Sequence, residues 1–175
     1  MKKILLILLL LFTKLSFSQT SLDYMLFDKI NQYRVSQNMN ALTWSPFIWT
    51  VSNQHTLYQS KAAYMGHREL IDVEGYVEVN KLFSRFEEKG VYNAFPNTTT
   101  ITVAENCLVM DSKNDPDMEK LCYWMLQMWI SSPPHKATLL NPNYKYGAVS
   151  CIYGTVYKEE VLPWIYSTLN VLNYE

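Results

Sequence analysis

The sequence predicts an α/β protein, a three-layer α/β/α sandwich around a small, mainly antiparallel sheet. Three observations point there. Residues 22–37 and 114–132 space their apolar side chains at the helical period, residues 98–110 are dense in β-branched residues, and residues 144–153 and 161–172 are two more strand-like runs flanking a turn. A few strands with helices enough to cover both faces are stable as layers around one core.

Each element has its own signal. In 22–37, Leu22, Met25, Leu26, Ile30 and Tyr33 form an apolar stripe, with Asp28, Lys29, Gln32 and Arg34 between them. "TWSPF" starts a second helix, with Ser45 as N-cap and Pro46 at the first helical position. That helix is expected to run over 46–65 and stop at Gly66 as a left-handed C-cap, leaving His67 just outside. A looser stretch over 68–80 leads to a short charged helix, 81–89, stopped by Gly90, and then a polar loop. "TTTITVAENCLVM" is the first strand. Met118, Leu121, Cys122, Met125, Met128 and Trp129 restore helical spacing, with Asn114 or Asp115 as the expected cap and Pro133 as the stop. The last two strands read as an antiparallel hairpin turning over 154–160.

The chain opens "MKKILLILLLLFTKLSFSQT", two lysines before an apolar block and small residues Ser16 and Ser18 near a cut. This is the pattern of a secretory signal over 1–18, which leaves one domain over 19–175 and a secreted protein, extracellular or periplasmic. The apolar block is shorter than the roughly 20 residues a bilayer span needs, so no stable membrane span is expected after processing. Three of the 15 basic residues and none of the 16 acidic ones fall in that segment, so the remainder is mildly acidic. A dense basic face is missing, which argues against nucleic acid as a partner. Aromatic residues make up 14% of the chain, suited to a packed core or a stacking cleft. Cys107, Cys122 and Cys151 fit no zinc-ribbon spacing; they imply one disulfide plus a free thiol, or no bridge, with Cys107–Cys151 conceivable if their strands are neighbours.

Two polar residues stand in unexpected places. In "WISSPPHKATLLNP" the double proline ends a helix and turns the chain, which can hold His135 at a fixed spot beside the sheet; the plainer reading is a surface turn histidine. Glu105 lies inside an otherwise buried strand, on the face of Val103 and Cys107, and a covered carboxylate needs a partner. Of the three histidines, His55 is mid-helix and reads as packed or surface, whereas His67 is better placed to enter a cleft.

"INQYR", "LTW", "GH", "AEN" and "W…SPPH…LLNPNY…YG" follow one another in the order found in the CAP (SCP) superfamily, which includes cysteine-rich secretory proteins, antigen 5 and pathogenesis-related proteins. The resemblance is to its short bacterial branch and spans about residues 22–172. It implies a CAP-like sandwich and a cleft lined by two histidines and acidic residues, which here match His67, Glu105 and His135, with Asn106 in a supporting role. Many long members carry a second glutamate where this chain has Ser132, which is at best a hydrogen-bonding substitute, and Pro134 replaces the usual glycine.

Two imidazoles and a carboxylate are also a conceivable ligand set for a divalent metal, zinc being the natural candidate, with His67, Glu105 and His135 as ligands. The alternative is a hydrogen-bonded His–Glu–His cluster that orders the cleft and responds to pH. The favoured function is a non-catalytic binding module for an extracellular or envelope ligand: a lipid or sterol, another envelope component, or an extracellular protein. The competing one is a hydrolase using the same cleft, either metal-assisted or through a Cys107–histidine pair.

Overall fold

A computed structural model describes residues 19–70, 72–73, 81–113, 115 and 117–175. The expected signal 1–18, most of 71–80 and the Asn114 cap position lie outside the described residues. The elements are α1 (Ser21–Ser36), β1 (Thr43–Trp44), α2 (Pro46–Ala62), α3 (Leu82–Glu88), α4 (Val91–Ala94), β2 (Ile101–Asp111), α5 (Met118–Ser131), α6 (Pro133–Leu140), β3 (Tyr146–Tyr157) and β4 (Glu160–Tyr174).

The sheet runs β1-β3-β4-β2, with β1 parallel to β3 and the other pairs antiparallel. It is therefore mixed, because the two-residue β1, too short to show in any sequence pattern, adds a parallel strand. Helices cover both faces. Leu26 and Ile30 of α1, Met125 and Trp129 of α5 and Leu139 of α6 pack on Val149, Ile165 and Leu169. On the other face, Ile48 and Val51 of α2, Phe86 of α3 and Val91 of α4 pack on Ala148 and Leu172. The α/β/α sandwich expected from periodicity is what forms.

Several local expectations are corrected. The 154–160 turn shrinks to Lys158 and Glu159, both at positive φ, so β3 and β4 extend to the tightest hairpin connection. The helix cap before α5 is Asp117, whose side chain accepts from Lys120 N–H. The double proline does end α5, but it also starts α6, occupying its first two positions, where the missing N–H groups cost nothing. The stretch 133–140 is thus a helix and not a turn. Cys107 and Cys151 are not bonded; all three cysteines are free and buried. Cys107 pairs across the sheet with Thr168 and Cys151 with Ser167, adjacent residues of β4, so the two thiols point to opposite faces.

β1 covers only the first two residues of β3, which leaves the outer edge of β3 open beyond Gly147. Asp23 fills part of that gap. Its carboxylate accepts from Cys151 N–H at 2.8 Å and from Trp49 Nε1–H at 3.0 Å while closing the α1 capping box with Thr20.

Candidate functional site

β2 is an edge strand, and α3 and α6 contact it from opposite faces of the sheet. That placement builds the site. Glu105 points to the α2–α3 face and Asn106 to the α6 face, because neighbouring strand residues alternate.

His67 arrives from the end of α2. The helix was expected to reach Met65, but it stops at Ala62, and Ala63 rather than Gly66 takes the left-handed position, with φ 50°. His55 supplies the reason: its Nε2 lies 2.9 Å from the Gly66 carbonyl and its Nδ1 2.8 Å from Glu69, drawing the chain back across its own helix. His67 Nδ1 then donates to Glu105 Oε1 at 3.1 Å, which fixes the tautomer, since an ionised carboxylate only accepts. Arg85 of α3 completes the clamp, bonding Glu105 Oε2 at 2.5 Å and the His67 carbonyl at 3.1 Å.

His135 sits in the first turn of α6, after the two prolines. Asn106 Nδ2 donates to the His135 carbonyl at 3.0 Å, so the residue beside Glu105 in the strand holds the helix that carries the second imidazole. The two imidazole centroids are 6.4 Å apart at 60°. The structure thus brings His67, Glu105, His135 and Asn106 together around the edge of β2. No hydrogen bond among the described residues ties the Ser132 hydroxyl to them.

The electrostatics follow from this company. Burial by itself would raise the Glu105 pKa, but the His67 hydrogen bond, the His55 ring and the Arg85 charge together bring it down to about 2. The hydrogen bond to Glu105 raises His67, partly opposed by burial. Burial and the charge of His67 lower His135. Neighbouring imidazoles are therefore pushed apart around neutral pH. Burial, then the charge of Glu105, pushes the Cys107 thiol well up, although its sulfur is only 3.8 Å from His67 Nδ1.

Ligand-type atoms of His55, Glu105 and Cys107 lie within 4.8 Å of one another, close enough to hold a metal ion. Their chemistry does not fit one as they stand. Both nitrogens of His55 face oxygen acceptors, both oxygens of Glu105 are bonded, and the thiol is held protonated. The same test bears on Glu105 as a ligand beside His67 and His135. With 1% side-chain exposure and a guanidinium on one oxygen, it is suited to orient an imidazole from behind.

Arg85, Glu69 and the supporting role of His55 were missed in the sequence. A signal was there: Arg85 lies on the stripe of Leu82 and Phe86, and His55 on that of Ile48, Ser52 and Gln59, so both fall on buried faces.

The profile of the CAP family, described as the Cysteine-rich secretory protein family, matches residues 27–170. The chain belongs to the CAP family. Among solved structures, this CAP protein is similar to an extracellular protein containing an SCP domain from Bacillus anthracis str. Ames, with TM-score 0.60 and 20% identity over 87% of this chain and 40% of that one. An outer surface protein from Borrelia burgdorferi matches with TM-score 0.53 and 12% identity, over 87% of this chain and 92% of that one. A cysteine-rich secretory protein from Staphylococcus aureus subsp. aureus Mu50 matches with TM-score 0.50 and 16% identity, over 89% of this chain and 40% of that one. At these identities the likeness shows a shared fold, and this chain spans only two fifths of the length of the first and third. No curated protein sequence matches. Among the described residues, no helix is long and apolar enough to cross a membrane.

Proposed function

We propose that this CAP protein is an exported, non-catalytic binding module whose cleft, His67 and His135 over the buried Glu105, captures an extracellular or cell-envelope ligand. The carrying observation is that His67 and Arg85 occupy both oxygens of Glu105, at 3.1 and 2.5 Å. A carboxylate so engaged, with a pKa of about 2, makes a poor general base and a good anchor. The buried, protonated Cys107 thiol is equally poorly suited as a nucleophile. What remains accessible is a pair of imidazoles, one drawn toward the charged and one toward the neutral form, suited to a ligand that both accepts and donates hydrogen bonds. Export rests on the N-terminal pattern of residues 1–18 and is in keeping with the extracellular and outer-surface proteins of similar fold.

A second reading rests on the His67–Glu105 bond. An imidazole held through Nδ1 by a carboxylate is the usual support for a metal ligand, so His67 and His135 are the residues that would hold zinc, with Glu105 behind. Zinc there would offer a Lewis-acid contact for an anionic or carbonyl oxygen of the ligand.

The experiment is a capture assay on residues 19–175 with lipid extracts and cell-envelope fragments, and with zinc measured in the purified protein. Wild type should retain material that His67→Ala and His135→Ala lose, both variants keeping the wild-type melting temperature within about 2 °C. Hydrolytic turnover of the captured material, abolished in both variants, would contradict the non-catalytic reading.

A further inference from the structure

The outer edge of β2 offers main-chain groups that the fold does not use. At one end of the β2–β4 ladder Thr100 and Glu175 exchange both main-chain hydrogen bonds, at 3.1 and 3.0 Å, and at the other Ser112 N–H donates to the Pro163 carbonyl at 2.8 Å. The register between them is unbroken over Ile101–Asp111. Even-numbered residues of β2 therefore direct their N–H and C=O at β4, and odd-numbered ones turn theirs outward. Trp129 agrees with that direction, since its Nε1–H, carried on α5 and not on β4, reaches the Cys107 carbonyl at 3.3 Å.

The second half of that edge is closed, because Cys107 and Val109 are buried and the Cys107 carbonyl is taken. The first half is open: Thr102 is exposed, and Ile101, Val103 and Ala104 are half-buried. Glu105 decides where it ends. The residue is 8% exposed but its side chain only 1%, so what solvent reaches there is main chain, beside His67. No other strand or loop among the described residues bonds the outward N–H and C=O groups of Ile101, Val103 and Glu105. Edge strands are ordinarily blunted by proline, lysine, a bulge or a covering element. The stretch Ile101–Glu105 has no proline, lysine or bulge, and its one charge, on Glu105, is met by Arg85.

We propose that β2 from Ile101 to Glu105 binds an extended peptide segment as an added edge strand that ends at the His67–His135 pair. This rests on the reading of the two imidazoles as a ligand-binding pair and gives the ligand a class, polypeptide. The reason is complementarity. Each outward residue presents one donor and one acceptor, and the set repeats every second residue, about 6.8 Å along the strand. The main chain of an extended peptide has the same repeat, whereas an acyl chain or a sugar does not. Ile101 and Val103 share the margin of one apolar layer with Leu82 and Phe95, and Thr102 is exposed on the other face, so the segment should alternate apolar and polar side chains. At the Glu105 end, His67 has given Nδ1 to the carboxylate and keeps Nε2 for a polar group of the segment.

The test begins with amide hydrogen exchange on residues 19–175, where Val103 and Glu105 should exchange at least tenfold faster than Ala104 and Asn106. A phage-displayed random heptapeptide library supplies the probe. The enriched peptide, made synthetically, should slow exchange at Val103 and Glu105 and lose at least tenfold in affinity when alternate peptide nitrogens are methylated. Val103→Pro removes one outward N–H and leaves the β4 ladder intact, as proline is tolerated at a free edge, and should weaken binding at least tenfold. Slow exchange at Ala104 and Asn106 is the folding control for that variant, and the methylated peptides carry the test should it misfold. No enriched sequence, binding indifferent to the methylated nitrogens, or outward amides protected without peptide and more so at higher protein concentration, the sign of a second copy on the edge, would each overturn the assignment. Peptide binding unchanged in His67→Ala and His135→Ala would overturn the imidazole reading and leave the edge site standing. Capture of non-peptide material by the imidazoles with no peptide enriched would overturn the edge site alone.

Discussion

The carboxylate of Glu105 is 1% exposed between Arg85 and two imidazoles, and that setting decides how this cluster responds to acid. Its folded pKa of about 2 lies below the ordinary 4.5, so the stability it contributes is full above pH 4.5 and is lost as pH falls toward 2. The amount is on the order of 3 kcal/mol. Urea unfolding should therefore show wild type losing stability between pH 5 and pH 2 more steeply than Glu105→Gln. At neutral pH, Glu105→Gln should itself be less stable by about 3–5 kcal/mol, because Arg85 is left buried without its partner charge. Equal pH slopes in the two proteins would contradict this account. His67 works in the other direction: its raised pKa adds stability below pH 6.5 that fades as pH rises through the folded value, a small term for so exposed a ring. At this scale His67, Glu105 and His135 were legible as motif residues, whereas Arg85 was not, since a charged residue in a short charged helix reads as solvent-facing until its stripe is counted.

Helices and strands declared themselves where periodicity is long. α1, α5 and the late hairpin were readable within a few residues, because their apolar spacing and β-branched runs extend over many positions. The misses share a cause: each is decided by a contact distant in sequence. α2 stops early because His55 captures the Gly66 carbonyl, and the two-residue β1 exists only because β3 lies alongside it. The α6 helix was hidden by its prolines, which read as a stop although they serve equally as a first turn. Asp23 is the clearest case of a long-range device, bonding Trp49 and Cys151 at separations of 26 and 128 residues. Asp23→Ala should cost at least about 2 kcal/mol in chemical denaturation, through an unmet indole N–H, an unmet strand N–H and a lost cap. A loss under 0.5 kcal/mol would show that β3 does not depend on this pin.

The molecule as a whole is stabilised by its two apolar layers and not by covalent cross-links. Cys107, Cys122 and Cys151 are all buried and free, two of them on opposite faces of the sheet. Alkylation followed by mass spectrometry should find three thiols in denaturant and none reactive in the native state within minutes; a disulfide would contradict the arrangement of the strands. The same topology brings the two imidazoles together. Because β2 ends the sheet, side chains from both layers can reach around its edge, and His67 from the α2 side meets His135 from the α6 side. No local pattern carries that meeting, since it follows from strand order. The direct measurement is the NMR titration of His135 in wild type and in His67→Ala, a variant that removes an exposed ring and leaves the fold intact. The shared cleft predicts that His135 titrates below 6.5 in wild type and moves upward once the neighbouring charge is gone. An identical His135 titration in the two proteins would mean that the imidazoles do not face a common space.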